Sequence, residues 1–316
     1  ANYLARLEDR ITKENSYSEI LIVQSNGGIM SVNAAKAFPV RTALSGPAAG
    51  VVAARKIATT AGFLNVITCD MGGTSFDMSL IINGKPTVTN ETEQEYIPLL
   101  IPLVDIHTIG AGGGSVAWLE NEALRVGPRS AGADPGPACY GKGGDEPTVT
   151  DANLFLGRLG KESKLGGWMN LDVNASENVL QNLSKKLNIS QVELAEAILS
   201  IINAKMADAI RTITVKEGID PREFSLVAFG GAGSMHAVWL AEELEISEII
   251  VPNDPGTFSA WGMLQTDIRR DLTVNFYQNF QSLEQKKLLE SYNKLKEEAS
   301  DLLKSENVSE SDMKFN

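Results

Sequence analysis

Residues 69–77 read Cys-Asp-Met-Gly-Gly-Thr-Ser-Phe-Asp, which places an acidic residue and a glycine-rich turn between two apolar runs. Residues 66–69 enter the turn and residues 78–82 leave it. The pair Asn83-Gly84 then supplies a strong signal for a second short turn. Two consecutive tight β-hairpins are therefore expected in this part of the chain.

The chemistry of the first turn suits a phosphate group. Gly72 and Gly73 can adopt positive φ and bring backbone N–H groups against phosphate oxygens, while Thr74 adds a hydroxyl donor. Asp70, at the strand end, is placed to hold Mg²⁺ through water, because Mg²⁺ is usually bound by one or two carboxylates, waters and the phosphates. Without a ligand, the same residues make an ordinary turn between strands, and the turn alone does not decide between these interpretations.

A second glycine-rich segment follows another strand pattern. Residues 225–229 predict a buried strand, residues 230–234 read Gly-Gly-Ala-Gly-Ser, and a helical pattern covers residues 235–244. A strand, a glycine turn and a helix N-terminus together favour a nucleotide site. The segment is neither a Rossmann fingerprint nor a Walker motif. The residues predicted to receive the adenosine are Gly230, Gly231, Ala232 and Gly233.

In this order, the two segments resemble the phosphate and adenosine signatures of the superfamily of actin, sugar kinases and heat-shock ATPases. Further segments narrow the resemblance to the hydantoinase A/5-oxoprolinase family: residues 44–52, 109–115, 132–141 and 147–153. The resemblance implies an α/β fold, in which a mixed sheet with flanking helices forms a ribonuclease-H-like (actin-like ATPase) lobe. It also implies ATP and Mg²⁺ as cofactors.

Family members begin with another Asp-x-Gly-Gly-Thr hairpin in the first of two lobes, and nothing before residue 24 matches it. We therefore expect a fragment that binds ATP weakly and hydrolyses it negligibly when alone. Residues 1–50 would end the first lobe and start the interlobe helix, residues 51–270 would form the second lobe, and residues 271–316 would start the C-terminal region.

The resemblance implies an enzyme that spends ATP to open a cyclic amide, such as a hydantoin or 5-oxoproline, by phosphorylating the amide oxygen before water attacks. A hydantoinase B-like subunit or domain would complete the reaction, and an oligomer is expected. The ATP-handling subunit of an acetone-type carboxylase is the alternative within the family. A nucleotide-gated switch or binding module, and an inert structural part of a larger subunit, are the alternatives outside it.

Asp105 and His107 are further candidates, because they lie two apart in an extended run and share a strand face. They could hold a cation or a substrate carbonyl, although a histidine bonded to its neighbouring carboxylate explains the pair as well. The predicted catalytic residues are Asp70, Thr74, Asp77, Asp105 and His107. The predicted nucleotide-binding residues are Gly72, Gly73, Thr74, Gly112, Gly113, Gly230, Gly231, Ala232 and Gly233. The predicted metal ligands are Asp70 through water, Asp105 and His107.

Other polar residues have structural interpretations. His236 is expected to be a packing or capping residue, and Cys139 is a weak candidate nucleophile because no histidine is near it in sequence. Ten of the twenty-one residues 127–147 are Gly or Pro, with Asp134 inside this Gly/Pro-rich segment and Asp151 just after it. This segment is expected to be an ordered loop without regular structure. The two aspartates either fix it to the cleft or serve only in a turn and a helix cap. The tryptophans are expected in the core: Trp118, Trp168, Trp239 and Trp261.

Composition narrows the class of protein. The chain has 316 residues, 43% of them hydrophobic, a formal net charge of −12 and two cysteines. That charge argues against nucleic acid as a partner, and no apolar run reaches membrane-spanning length. Two cysteines without metal or disulfide spacing favour a reducing, cytoplasmic location.

Helices are expected over residues 46–60, over residues 176–218 with a break near 188–190, and over residues 284–304.

Overall fold

The computed structural model describes residues 2–13, 20–94, 97–279, 281 and 283–315. The chain divides into two compact units. Unit 1 comprises Ala1–Ala48, Val88–Leu103 and Gln265–Asn316, and unit 2 comprises Ala49–Thr87 and Val104–Leu264. The division predicted from the sequence, with boundaries after residues 50 and 270, stays a prediction.

The helices in chain order are α1 (Asn2–Lys13), α2 (Val32–Ala37), α3 (Ser45–Thr60), α4 (Val149–Phe155), α5 (Val173–Leu187), α6 (Gln191–Lys216), α7 (Gly230–Glu243), α8 (Phe258–Met263) and α9 (Gln285–Ser305). The strands are β1 (Leu21–Val23), β2 (Ile29–Ser31), β3 (Val66–Met71), β4 (Phe76–Ile82), β5 (Lys85–Pro86), β6 (Val88–Thr89), β7 (Thr92–Gln94), β8 (Ile97–Leu99), β9 (Leu103–Val104), β10 (His107–Ile109), β11 (Ser115–Glu120), β12 (Ala123–Ser130), β13 (Lys164–Leu165), β14 (Met169–Asn170), β15 (Ser225–Phe229) and β16 (Ile249–Ile250).

Unit 2 is built on a mixed sheet with the strand order β10-β4-β3-β15-β16, and β5 pairs with β4. Strand β4 runs antiparallel to β3, β5 and β10, whereas β15 runs parallel to β3 and β16. All five residues of β15 are buried, as an apolar run in the middle of a covered sheet requires. The mixed sheet, its flanking helices and the two consecutive hairpins confirm the predicted α/β class.

Two long helices complete the core of unit 2. The predicted helical region is interrupted where expected, because Asn188 ends α5 in the left-handed conformation and Ser190 begins α6 with a capping box to Glu193. Apolar side chains of α6 are buried together with those of the sheet, as Ile198 and Ile67 illustrate. Burial of this kind supplies most of the stability of a helix that packs on a sheet.

Three sequence-based expectations about unit 2 are wrong. Helix α7 begins at Gly230 and not after a separate turn, because Gly230 itself makes the turn with a φ of 82°. Strand β12 continues through Gly127 to Ser130, because a register shift opposite β11 accommodates the extra residues. Trp168 is 73% exposed and Trp261 is 38% exposed, so these two side chains are not core residues.

Unit 1 contains the β1–β2 hairpin and the C-terminal helix α9, which confirms the predicted helix to within one residue at each end. Arg270 and Glu306 form a buried ion pair, and the Glu306 carboxylate also accepts the backbone N–H of Ser31 at 3.2 Å. Breaking a buried ion pair leaves an uncompensated charge. This contact therefore ties the end of α9 to strand β2.

No helix among the residues that the structure describes is long and apolar enough to cross a bilayer.

His236 lies in the interior of unit 2, as expected for a packing residue. It is fully buried on α7, where its Nδ1 lies 2.5 Å from Asn203 Oδ1 and its Nε2 lies 3.4 Å from Asn153 Nδ2. The two amides fit a neutral ring that donates at Nδ1 and accepts at Nε2. Burial, with Arg158 as the nearby charge, lowers the pKa of His236 from 6.5 to about 4.

We expect His236 to make unit 2 sensitive to acid. The ring binds a proton more readily in the unfolded chain, so stability falls as the pH drops from 6.5 to about 4. The difference in pKa corresponds to a loss of about 3 kcal/mol at most. Urea unfolding midpoints across this pH range should show a shallower decline for His236→Gln than for the wild type. Parallel pH profiles for the two proteins would contradict this assignment.

Candidate functional site

The glycine turn joins two aspartates that face each other across the β3–β4 ladder. Asp70 is the register partner of Asp77, and directly opposed residues of antiparallel strands project to the same face. Within the turn, the Gly72 N–H donates to the Ser75 carbonyl at 3.1 Å. Gly73 and Thr74 are exposed, and their N–H groups donate no hydrogen bond within the described residues. The turn therefore offers backbone donors beside a pair of carboxylates.

The expected positive φ at Gly72 and Gly73 is not found, since neither residue adopts the left-handed conformation. A Cβ atom added to either would meet nothing within 4 Å, and the same holds for Gly231. Backbone strain and packing within the described residues thus give no reason for glycine at these three positions. The open space fits a group that approaches the backbone closely, as phosphate does at glycine-rich anion sites.

The loop that contains Gly112 supports this turn. The Gly113 N–H donates to the Gly72 carbonyl at 3.0 Å, and the Gly114 N–H donates to the Gly73 carbonyl at 2.6 Å. A Cβ atom on Gly112 would lie 2.6 Å from the backbone of Gly73, so glycine is required there for packing. Because Gly112 and Gly113 are buried and their N–H groups are used by the protein, their predicted nucleotide contacts stay a prediction.

Asp151 anchors the Gly/Pro-rich segment and caps α4. Its fully buried carboxylate accepts hydrogen bonds from five donors: the backbone N–H groups of Ala138, Cys139 and Thr148, and the hydroxyls of Thr148 and Ser176. Thr150, one residue earlier, donates its hydroxyl to the Gly113 carbonyl at 2.8 Å. Cys139 is buried, and burial raises the pKa of its thiol, which disfavours a nucleophilic thiolate.

The second glycine segment reaches the first one at Asp70. Phe229, the last residue of β15, is the register partner of Asp70, and Gly230 makes the turn into α7. A Cβ atom on Gly230 would overlap Asp70 Oδ1 and lie 2.5 Å from the Met71 carbonyl oxygen. The start of α7 therefore lies directly against the end of β3. The first N–H groups of a helix have no partner within that helix, and they favour an anion.

Asp70 and Asp77 form a like-charge pair with few protein partners. Burial, then the charge of Asp77, raises the pKa of Asp70 from 3.8 to about 6, while a hydrogen bond from the Ser259 hydroxyl at 3.3 Å opposes the rise. Asp77 accepts the hydroxyls of Thr108 at 2.6 Å and Ser75 at 3.3 Å. A divalent cation would relieve the repulsion between the two carboxylates.

The described residues contain no group of three or more acidic, histidine or cysteine side chains that could hold a metal ion. A cation at Asp70 and Asp77 would therefore take its remaining ligands from water and phosphate. This is the usual arrangement for Mg²⁺, which keeps several waters and is held by one or two carboxylates. The residues present thus fit Mg²⁺ bound together with a polyphosphate.

The structure pairs Asp105 and His107 with each other, with His107 Nε2 3.4 Å from Asp105 Oδ1. This hydrogen bond is the main cause that lowers the pKa of the Asp105 carboxyl. His107 is opposite Met78 in the β10–β4 ladder, whereas Asp77 is opposite Thr108, so His107 and Asp77 project to opposite faces of the sheet. The Asp105–His107 pair is not brought together with Asp70, and its catalytic and metal-binding roles stay predictions.

Sequence reasoning missed Ser259, whose hydroxyl donates to Asp70, and Thr108, whose hydroxyl donates to Asp77. Ser259 lies 189 residues from Asp70 along the chain, and nothing in its local sequence indicates the contact. Thr108 could have been found from the strand pattern, because it alternates with His107 in β10 and faces β4.

Comparisons with known proteins show which enzymes this chain resembles. The alpha subunit of caprolactamase from Pseudomonas jessenii is 38% identical over 289 residues, which are 90% of this chain and 42% of that protein. A crystal structure of ATP-dependent caprolactamase from the same organism has a TM-score of 0.78 and 36% identity, covering 96% of this chain and 44% of that one. A nucleotide-free structure of acetone carboxylase has a TM-score of 0.75 and 30% identity, covering 82% and 37%.

The chain spans less than half the length of these relatives. Its fold is that of their actin-like ATPase lobe, which confirms the fold and the resemblance inferred from the sequence. A family model described as Hydantoinase/oxoprolinase matches residues 1–272. On this match and the similarity to caprolactamase, the chain belongs to the hydantoinase/oxoprolinase family.

Proposed function

We propose that this chain carries the MgATP-binding lobe of an ATP-dependent hydrolase of cyclic amides of the hydantoin or 5-oxoproline type. The observation that supports this most strongly is the open glycine turn beside Asp70 and Asp77, where the N–H groups of Gly73 and Thr74 donate to no other described residue. The similar enzyme from Pseudomonas jessenii is an ATP-dependent caprolactamase, and a caprolactam is likewise a cyclic amide.

Each part of the site would have a separate task. Gly73 and Thr74 would donate backbone N–H groups to phosphate oxygens, and the start of α7 at Gly231 would face the rest of the nucleotide. Asp70 and Asp77 would hold Mg²⁺ through water. MgATP would transfer a phosphoryl group to the amide oxygen, which makes the amide carbon a better electrophile. Water would add to that carbon, the C–N bond would break with the nitrogen taking a proton, and a second water would release phosphate from the resulting acyl phosphate. The chain carries a net charge of −12, so these local dipoles and the cation, and not the overall field, must hold the anion.

A second candidate is the ATP-handling subunit of an acetone-type carboxylase, which the similarity to acetone carboxylase favours. In that case a ketone enolate or bicarbonate would take the phosphoryl group.

A hydantoinase B-like partner, an oligomeric enzyme and a cytoplasmic location are further parts of the proposal. The relatives named as subunits of caprolactamase and acetone carboxylase support the idea of a partner chain.

An ATPase screen of the complete protein tests these proposals. ATP turnover would be measured with and without a hydantoinase B-like partner, across hydantoins, lactams and ketones with bicarbonate. Stimulation by a cyclic amide supports the hydrolase, and stimulation by a ketone supports the carboxylase. If no compound raises turnover while nucleotide alone changes protease sensitivity, the site works as a switch and both proposals fail.

Two glycines of the site are expected to respond differently to the same substitution. Gly73→Ala meets no atom within 4 Å, so the protein should fold with unchanged or slightly raised stability, as Gly→Ala does at compatible positions. The added methyl would occupy the space of the phosphate and weaken MgATP binding roughly 10-fold or more. Gly112→Ala forces a contact of 2.6 Å with the Gly73 backbone and should cost about 1–3 kcal/mol of stability.

Calorimetric MgATP titrations and melting curves of both variants measure this contrast. Wild-type affinity in Gly73→Ala would show that the open space holds no phosphate.

Asp70→Asn should stop chemistry without harming the fold. It keeps the size of the side chain but removes the charge on which a cation depends, so kcat for ATP turnover should fall on the order of 10². Stability should not fall, because the change relieves the repulsion between Asp70 and Asp77. The control is Asp208→Asn, an exposed aspartate paired with Arg211 on α6. Turnover of Asp70→Asn close to that of the control would refute the assignment.

A further inference from the structure

We infer that Ser259 is a positioning residue that orients Asp70 toward the cation of MgATP. This inference rests on the proposed function of the site. The Ser259 hydroxyl donates to Asp70 Oδ2 at 3.3 Å, and it is the one side chain that donates to this carboxylate within the described residues. Ser259 does not belong to either glycine segment, so its contact with Asp70 arises only from the way α8 packs.

Two glycines allow α8 to bring Ser259 to Asp70. A Cβ atom on Gly50, in α3, would lie 2.8 Å from both Ser259 Oγ and the Phe229 ring. On α8, a Cβ atom on Gly262 would overlap the Ala49 carbonyl oxygen. Because real Cβ contacts of this kind are not tolerated in a close-packed interior, both positions require glycine. Helices α3 and α8 therefore meet backbone to backbone and hold the serine between them and Asp70.

Aromatic side chains fix α8 at the residue next to Ser259. Phe258 is 4% exposed and packs on Phe229, with ring centroids 4.9 Å apart and planes tilted by 59°. On the same helix, Phe258 stacks with Trp261 at 5.6 Å. Aromatic pairs of this geometry contribute beyond their buried area. Since Phe229 is also the register partner of Asp70, the same ring places both the aspartate strand and the serine helix.

The hydroxyl of Ser259 holds the Asp70 carboxylate in one orientation. Oδ1 lies against the Cα atom of Gly230, and Oδ2 accepts the hydroxyl of Ser259. Asp77, on the neighbouring strand, repels the carboxylate. Without the hydroxyl, Asp70 would have no side-chain donor to hold its orientation against this repulsion. Ser259 thus acts through Asp70 and not on the reacting atoms, as the outer partners of metal ligands do.

The test compares Ser259→Ala, Ser259→Thr and the control Ser247→Ala in the complete protein. Ser247 is exposed in unit 2, and its hydroxyl donates to the Glu248 carboxylate. Calorimetry would measure ADP affinity with Mg²⁺ and with EDTA, and ATP turnover would be titrated with Mg²⁺. Loss of a partner of a metal ligand typically weakens metal binding or activity about 10- to 100-fold.

Three results are expected from these measurements. In Ser259→Ala, the factor by which Mg²⁺ tightens ADP binding should fall about 10-fold. The Mg²⁺ concentration that half-saturates ATP turnover should rise by a similar factor. Its affinity for ADP in EDTA should not change. Ser259→Thr, which keeps the hydroxyl, should recover most of the effect, and Ser247→Ala should match the wild type.

Other outcomes overturn the inference. If Ser259→Ala melts at a lower temperature but responds to Mg²⁺ like the wild type, Ser259 is only a packing residue. The same conclusion follows if ADP binding falls equally with Mg²⁺ and with EDTA. If the wild type itself shows no Mg²⁺-dependent nucleotide binding, the proposed function fails, and the role of Ser259 fails with it.

Discussion

The site depends on the close approach of Gly230 to Asp70. Parallel pairing of β15 with β3 sets Phe229 beside Asp70, and the chain must then turn within one residue to begin α7. Only a residue without Cβ fits against the carboxylate, because a Cβ atom there would overlap Asp70 Oδ1. This single contact joins segments 160 residues apart. Asp70 is half-buried there, so its carboxylate is partly removed from water beside a second carboxylate.

The glycines of the site belong to two physical classes. Gly112 and Gly230 are needed because neighbouring backbone or carboxylate atoms occupy the space of a side chain. Gly73 and Gly231 face open space and have no positive φ. Neither packing nor backbone conformation within the described residues therefore requires glycine at these positions. A residue that costs conformational entropy without serving the fold is best explained by what approaches it from outside. In the proposed site, the open class would face the ligand, and the packed class supports the turn.

Local signals in the sequence predicted much of this arrangement. The Asn83-Gly84 turn, the break between α5 and α6, and the buried run of β15 follow from short-range rules and are found in the structure. The predictions for the conformation of Gly72, the start of α7 and the burial of Trp168 were wrong, because strand pairing and packing decide these features. The contact of Ser259 with Asp70 could not be predicted, since it depends on how two helices cross at distant glycines.

Two carboxylates of unit 2 differ in how far the protein compensates their charge. Asp151 is fully buried, yet five donors of the protein surround it, so its charge is compensated without any ligand. Asp70 accepts one side-chain hydroxyl and faces Asp77, and burial raises its pKa to about 6. A fold that can supply five donors to one aspartate leaves the other short of partners at an open glycine turn. A cation bound together with phosphate would supply the compensating charge that Asp70 lacks. This difference favours a catalytic or metal-binding role for Asp70 over one for Asp151.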